Sequence, residues 1–260
     1  MLRYEYKYFV HNSKMETLRS MISPFMKLDK YSEIEKDRHY TVRSIYFDTP
    51  DYDYYFEKIE GIKHRKKFRI RGYNNISPES KVFFEIKRKY EIPIFKNRAV
   101  TTYDNACKLF TNGNIEQYIH NSEKFPNAVD NVKRFFYHFY SNNLRPVILI
   151  IYEREAYLGL IDEKIRVTFD KNLRSVAFPT IDELYSESRA RVALKDQFIL
   201  EVKFNDYFPS WMKPIIGILG LKRESASKYC ISIDNHNFLN KKKLPSTFAR
   251  TRFFSNQNAY

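Results

Sequence analysis

The chain has 260 residues, 43% of them hydrophobic and 17% aromatic, enough for one large single-cored domain. Lys and Arg number 45 against 31 Asp and Glu, a net charge of +14. That excess points to a polyanionic partner (nucleic acid, anionic lipid or phosphate-rich small molecules), or else to a Lys-rich source proteome. Cys107 and Cys230 exclude a disulfide framework and have no metal-ligand spacing. The longest apolar run, Val147 to Tyr152, is too short for a transmembrane segment, and the residues after Met1 form no signal peptide. A cytoplasmic location is therefore expected.

Most charged segments alternate with period two, the mark of strands with unlike faces. In the first, Arg3, Glu5 and Lys7 share one face, with Tyr4, Tyr6, Tyr8 and Val10 on the other. Residues 13–23 read as a helix capped by Asn12 or Ser13. A strand follows at Thr41–Phe47, and Asp48-Thr49-Pro50 opens a short helix over 51–60, with Gly61 as its stop. His64–Tyr73 places Arg65, Lys67, Arg69 and Arg71 opposite Phe68 and Ile70. Val82–Tyr90 places Glu85, Lys87 and Lys89 opposite Val82, Phe84 and Ile86. After a turn near Pro93, Lys96 and Arg98 share a face.

Residues 103–141 read as a helical insertion of two or three short helices. Strands resume at Pro146–Tyr157 and Ile165–Asp170, with a shorter one near Arg174–Phe178. A last strand, Phe198–Phe204, sets Glu201 and Lys203 opposite Leu200, Val202 and Phe204. Helices are expected near 208–219 and 224–234, the second holding Ser225, Ser227, Lys228 and Tyr229. One domain over 1–240 and a weakly structured basic tail over 241–260 complete the layout.

A lone strand with one charged face is usually a surface strand of an antiparallel sheet. Here the charged faces are strongly basic, and acids enter them singly: Glu5, Glu85 and Glu201 each stand two residues before a lysine. The opposite faces are large and aromatic and need cover, which the intervening helices can supply. An α+β fold follows, a closed antiparallel β-barrel with helices packed on its outside and charges within. So many like charges repel one another unless a polyanion and a bridging cation enter with them. Arg forks and Lys point charges suit phosphate oxygens, and the glutamates suit a hard divalent metal.

The ordered pieces Arg3-Tyr-Glu-Tyr-Lys-Tyr8, Ser44-Ile-Tyr-Phe-Asp-Thr-Pro50, Lys67-Phe-Arg-Ile-Arg-Gly-Tyr73 and Phe84-Glu-Ile-Lys87 open a recognisable series. Tyr152-Glu-Arg-Glu-Ala156, Arg166-Val-Thr-Phe-Asp170, Leu200-Glu-Val-Lys203 and Ser227-Lys-Tyr-Cys230 complete it. Together they resemble the triphosphate tunnel metalloenzyme (CYTH-like) superfamily, and within it the VTC-type polyphosphate polymerase domain. The resemblance implies an eight-stranded tunnel that binds ATP, inorganic triphosphate or polyphosphate with Mn²⁺ or Mg²⁺. It implies catalytic roles for Lys7, Arg69, Arg71, Lys87, Arg154, Arg166 and Lys228. Lys96 or Arg98 matches a further phosphate-binding position, and Arg3 and Lys203 join the substrate-binding set. Glu201 matches the metal-binding glutamate, while Glu5 and Glu85 either bind metal or orient lysines.

The hydrolase branch opens with two alternating glutamates before a lysine, and here Arg3 replaces the first. Lys203 stands where hydrolases tend to carry a second acid. Fewer acids mean fewer metal ligands, so transfer to a polyphosphate chain is expected over hydrolysis. The alternatives are a triphosphatase using Glu85 or Glu153 to position water on inorganic triphosphate, nucleotides or RNA 5′ ends, and a non-catalytic polyphosphate sensor. Nucleic acid binding by the tail is a minor reading.

Overall fold

The computed structural model describes residues 3–77, 79–90, 94–237 and 239. Its centre is a ten-stranded antiparallel sheet. Eight strands make its path: β1 (Arg3–His11), β10 (Gln197–Asn205), β8 (Arg166–Ala177), β7 (Arg145–Gly159), β3 (Tyr40–Asp48), β4 (His64–Tyr73), β5 (Lys81–Tyr90) and β6 (Ile94–Thr102). Two short strands lie off the path, β2 (Met26–Leu28) on β7 and β9 (Arg191–Val192) on β8. Among the described residues β1 does not pair with β6, so the expected closed eight-stranded barrel is an open ten-stranded sheet.

The open sheet nonetheless curls. Glu5 of β1 and Lys87 of β5 stand near opposite ends of the strand order, yet each lies within the other's electrostatic reach, as do Lys7 and Lys67. A right-handed strand twist accumulated over eight strands brings the charged faces together as a trough.

The apolar faces point away from it. On one half, Ile45, Phe47, Phe68, Ile70, Val82, Phe84 and Ile86 are buried beneath α4 (Tyr103–Asn112), α5 (Ile115–Tyr118) and α6 (Ala128–Ser141), where Phe135 packs edge-on against Phe47, Phe68 and Phe84. On the other half, Tyr8, Val10, Val167, Phe169, Phe198, Leu200, Val202 and Phe204 pack with α1 (Met15–Ile22) and α7 (Met212–Ile218). These are the strand residues whose alternation marks them for cover. Gly72 in β4 allows a close approach, since a Cβ there would stand 2.6 Å from Tyr185 Oη.

Several boundaries differ from expectation. The two strands read at 165–170 and 174–178 are one, β8, which pairs with β7 on both sides of a register shift where Asn172 takes a left-handed conformation. Short α2 (Lys30–Glu33), like β2, has too few residues to show a period. The first helix begins as a 3₁₀ turn at Asn12–Lys14. The Pro93 turn and the tail 241–260 lie outside the described residues.

The helix expected over 224–234 begins only at Lys228, as α8 (Lys228–His236), with Ser227 as its N-cap accepting from the Cys230 backbone N–H. It is not an outer helix. Tyr229, Cys230 and Ile233 pack on Tyr46, Ile148, Ile150 and Tyr152, the apolar part of the trough side. Asp48 fixes this arrangement. Its buried carboxylate accepts from the backbone N–H groups of Thr49, Tyr54 and Tyr55, at 2.8, 3.0 and 3.0 Å, which opens α3 (Asp53–Ile59), and from the Tyr229 hydroxyl of α8. Asp48→Ala strands four buried donors, three backbone N–H groups and the Tyr229 hydroxyl, and frees α8 from β3, so a loss of about 3–5 kcal/mol is expected in urea unfolding; a loss below about 1 kcal/mol contradicts this role.

Candidate functional site

Alternation along the strands places two carboxylate-centred clusters on the trough side, one from each half of the sheet. Glu201 of β10, 4% exposed, centres the first. Lys228 reaches its Oε1 at 2.8 Å and Lys203 its Oε2 at 3.0 Å, with Lys7 at 3.3 Å and Arg154 at 3.6 Å. Arg154 also forks onto Asp170 at 2.6 and 2.8 Å, and Lys228 pairs with the same carboxylate. Glu5 joins through Lys7 at 2.9 Å and Lys203 at 3.9 Å. The pairing register produces this, with Glu5 opposite Lys203, Lys7 opposite Glu201, and Arg154 opposite Asp170.

Glu85 of β5, 1% exposed, centres the second cluster. Arg69 reaches its Oε2 at 2.6 Å, while Lys96 and Arg98 reach its Oε1 at 2.6 and 3.0 Å. Arg69 and Arg98 are its cross-strand neighbours on β4 and β6. Burial alone pushes both central carboxyls up, but Lys203, Lys228, Lys7 and Arg154 hold Glu201 well below the usual carboxylate range. Arg69, Arg71 and Lys96 do the same for Glu85. Burial likewise raises Glu5, and its lysine neighbours Lys7, Lys203 and Lys87 outweigh it, holding the group at about 2.

Between the clusters stand Lys67, Arg71 and Lys87, bases with no carboxylate ion pair among the described residues. Lys67 and Lys87 are direct cross-strand partners, a like-charge juxtaposition that costs stability. Burial, with Lys7 and Lys87 nearby, drags the Lys67 ammonium down to about 8, and burial and the neighbouring bases lower Lys87 as well. Arg71, 8% exposed, gives its Nε to Ser44 Oγ at 3.1 Å. At one end, Lys58, Lys7 and Lys67 donate to the successive residues Ser225, Ala226 and Ser227, which lead into α8.

Lys7, Arg69, Arg71, Lys87, Lys96, Arg98, Arg154, Lys203, Lys228, Glu5, Glu85 and Glu201 thus come together on this side. Arg166 is partly diverted: its Nη2 donates to Asp29 Oδ2 at 2.8 Å and to Tyr40 Oη at 3.2 Å. Arg3 is exposed at the start of β1 and outside both clusters. Asp170, Lys67 and Tyr46 are site members without an assigned role in the sequence. The first two share strand faces with Arg166 and Arg69, and that alternation was the available signal.

Three bases lie within 3.0 Å of the Glu85 oxygens and four within 3.6 Å of those of Glu201, so base contacts alone do not separate the two; what sets Glu201 apart is a second carboxylate, Glu5, within its electrostatic reach. Glu201 lies near enough to Glu5 to disfavour its ionisation, and both present hard oxygens. No group of three His, Cys, Asp or Glu suited to a metal occurs among the described residues. That donor set does not make a protein cage. It fits a Mg²⁺- or Mn²⁺-type ion held by one or two carboxylates together with substrate phosphates. No helix among the described residues is long and apolar enough to cross a membrane.

The VTC domain family model matches residues 2–236. Vacuolar transporter chaperone complex subunit 4 of Schizosaccharomyces pombe is 24% identical over 188 residues, which cover 64% of this chain and 25% of that protein. The chain thus spans about a quarter of the length of this curated relative. Among solved structures, the PH1819 protein of Pyrococcus horikoshii OT3 aligns at a TM-score of 0.43 and 13% identity, over 89% of this chain and 99% of the other. A Hippeastrum protein described as revealing a dominant triphosphatase activity aligns at 0.48 and 11% identity, over 90% and 96%.

Glu85→Gln removes the charge that three bases share, so a loss of about 3 kcal/mol is expected in chemical denaturation. Inorganic tripolyphosphate should restore much of that loss by supplying the missing negative charge. Equal stability of variant and wild type without tripolyphosphate contradicts the cluster's role.

Proposed function

This chain belongs to the VTC domain family, and on that premise we propose that it is a metal-dependent polyphosphate polymerase, moving the γ-phosphoryl group of ATP onto the end of a growing polyphosphate chain. The observation that supports this reading best is the trio Lys67, Arg71 and Lys87, which have no carboxylate ion pair among the described residues and stand between two clusters whose carboxylates are already paired with other bases. Such a set is electrostatically incomplete, and a linear polyanion completes it.

Transfer forms a bond from a terminal phosphate oxygen of the acceptor chain to the γ-phosphorus and breaks the bond from that phosphorus to the β-phosphate oxygen, releasing ADP. The attacking oxygen is already ionised, so no general base is needed. Lys7, Arg154, Lys203 and Lys228, gathered around Glu201, hold one phosphate run, and Arg69, Arg71, Lys87, Lys96 and Arg98 hold the other. Fixing both in line lowers the entropic part of the barrier, and the same cations offset charge on the transferring group. Arg166 contributes at one end of the trough despite its pairing with Asp29. Glu201, with Glu5 beside it, is the proposed metal-holding pair, and a divalent ion held there would supply positive charge to the phosphates.

Hydrolysis has less support. A triphosphatase needs a carboxylate oriented toward water, and the Glu85 oxygens are turned to Arg69, Lys96 and Arg98. Glu153, the other candidate, follows Tyr152 and precedes Arg154 and so faces away from the trough, where it meets Arg174 and His39.

Incubation of the protein with ATP and Mn²⁺ should yield long phosphate chains on a gel, whereas free phosphate alone would indicate a hydrolase and tight binding without turnover a sensor. Glu201→Gln should abolish metal-dependent turnover, because it removes the central carboxylate charge. Tripolyphosphate affinity should persist or strengthen in that variant, since four bases lose their internal counter-charge. Full activity in Glu201→Gln contradicts the metal assignment.

A further inference from the structure

One buried polar group on the trough side has no part in the scheme above. Tyr46 of β3, 9% exposed, points its phenol oxygen at Arg69, whose Nη1 donates to it at 2.8 Å. Arg69 gives its Nε to Glu85 at 2.6 Å, so Tyr46 and Glu85 grip two edges of one guanidinium. Its Nη2 has no hydrogen bond among the described residues, which leaves that nitrogen for a phosphate oxygen. The Tyr46 ring is itself fixed, stacked on Tyr229 of α8 at 5.3 Å, and Tyr229 is tied through its hydroxyl to Asp48.

The charges around the phenol are one-sided. From β4 it meets Lys67, Arg69 and Arg71. From α8 it meets the Tyr229 ring, with Cys230 beyond it toward Lys67. Its β7 partner is apolar Ile148. On its own strand, Asp48 is occupied by three backbone N–H groups and Tyr229, and Ser44 by Arg71. Glu85 is hydrogen-bonded to Arg69, and Tyr152 of β7 faces the same Arg69 and Arg71.

We propose that Tyr46 is a positioning residue of the polyphosphate site, whose phenol oxygen orients Arg69 and serves as an internal anion that is replaced, by taking up a proton, when the polyanion enters. This rests on the polyphosphate reading of the trough. Physically, three neighbouring cations favour phenolate in the empty site, and a phosphate run brought against the same cations removes that preference. The charge at Tyr46 supports it: burial raises the phenol, and Arg69, Arg71 and Lys67 overcome burial to bring it down to about 7. The step is a protonation alone, phenolate plus a solvent proton giving phenol, with Arg69 remaining charged and free to turn its donors to the ligand. Polyphosphate affinity is then coupled to pH through a group that touches neither metal ligand.

The test compares the wild type with Tyr46→Phe, which keeps the stacked ring and removes only the oxygen. Tripolyphosphate binding is followed by calorimetry in buffers of different ionisation enthalpy, beside the near-ultraviolet tyrosinate absorbance. The wild type is expected to take up more protons than the variant near pH 7 and above, and to lose tyrosinate absorbance on binding. The variant is expected to bind about tenfold more weakly below pH 7, where the wild-type hydroxyl still holds Arg69, with a flatter pH dependence. Equal proton uptake and equal affinity in the two proteins at every pH overturn the proposal while leaving polyphosphate binding in place. Absence of tripolyphosphate binding by the wild type instead overturns the polyphosphate reading, and the inference with it. A tyrosinate titration of the unliganded protein gives a separate check: no signal lost in Tyr46→Phe overturns the internal-anion role whatever the ligand.

Discussion

Charge held inside a low-dielectric trough is the constraint on which the rest of this structure depends. Glu201 and Glu85 are almost fully buried and survive as carboxylates only because bases from neighbouring strands surround them. Each cluster uses the cross-strand register, so a one-residue slip would turn Lys7, Arg154 or Arg69 to the opposite face and leave a buried charge alone. The apolar faces enforce that register from the other side, where Phe68, Phe84 and Phe135 pack in one core and Phe169, Phe198 and Phe204 in another. Function and fold therefore share one pattern: the alternation that hides the aromatics is the alternation that gathers the bases.

The two clusters are not equivalent. Glu85 is held between Arg69, Lys96 and Arg98, its cross-strand and near neighbours. Glu201 is ringed by four bases and stands beside Glu5, the pair to which we assign the metal. Asp48 is the structural counterpart, spending its carboxylate on the start of α3 and on Tyr229, so that α8 is fastened while Lys228 reaches Glu201 and Asp170. Tyr46 lies between these systems, stacked on the fastened helix and hydrogen-bonded to the orienting arginine.

Much of this was legible from period-two alternation, because which side of a strand a residue faces is a local property. Lys7, Arg69, Lys87, Arg154 and Glu201 came together as their strand faces required. What depends on distant pairing was not legible in the same way. Closure of the sheet turns on whether β1 meets β6, and no pattern within either strand encodes that. Arg166 shares the right face, yet Asp29, far away in sequence, captures it. Asp170 and Lys67 were visible on the right faces but were not singled out, since ranking charges on one face requires the cross-strand partners. Ser225 and Ser227 lie before α8 because Ser227 caps it, a boundary that helical periodicity locates poorly.

The central claim is that bases in the trough are left for a polyanion to neutralise. Thermal denaturation of the protein titrated with inorganic tripolyphosphate, against sodium chloride at matched ionic strength, tests it most directly. The account predicts a saturable rise in melting temperature far beyond the salt control, of the size expected for a ligand that binds only the folded chain, about 2.7 kcal/mol at a hundredfold excess over its dissociation constant. A melting temperature that tracks ionic strength alone would contradict it.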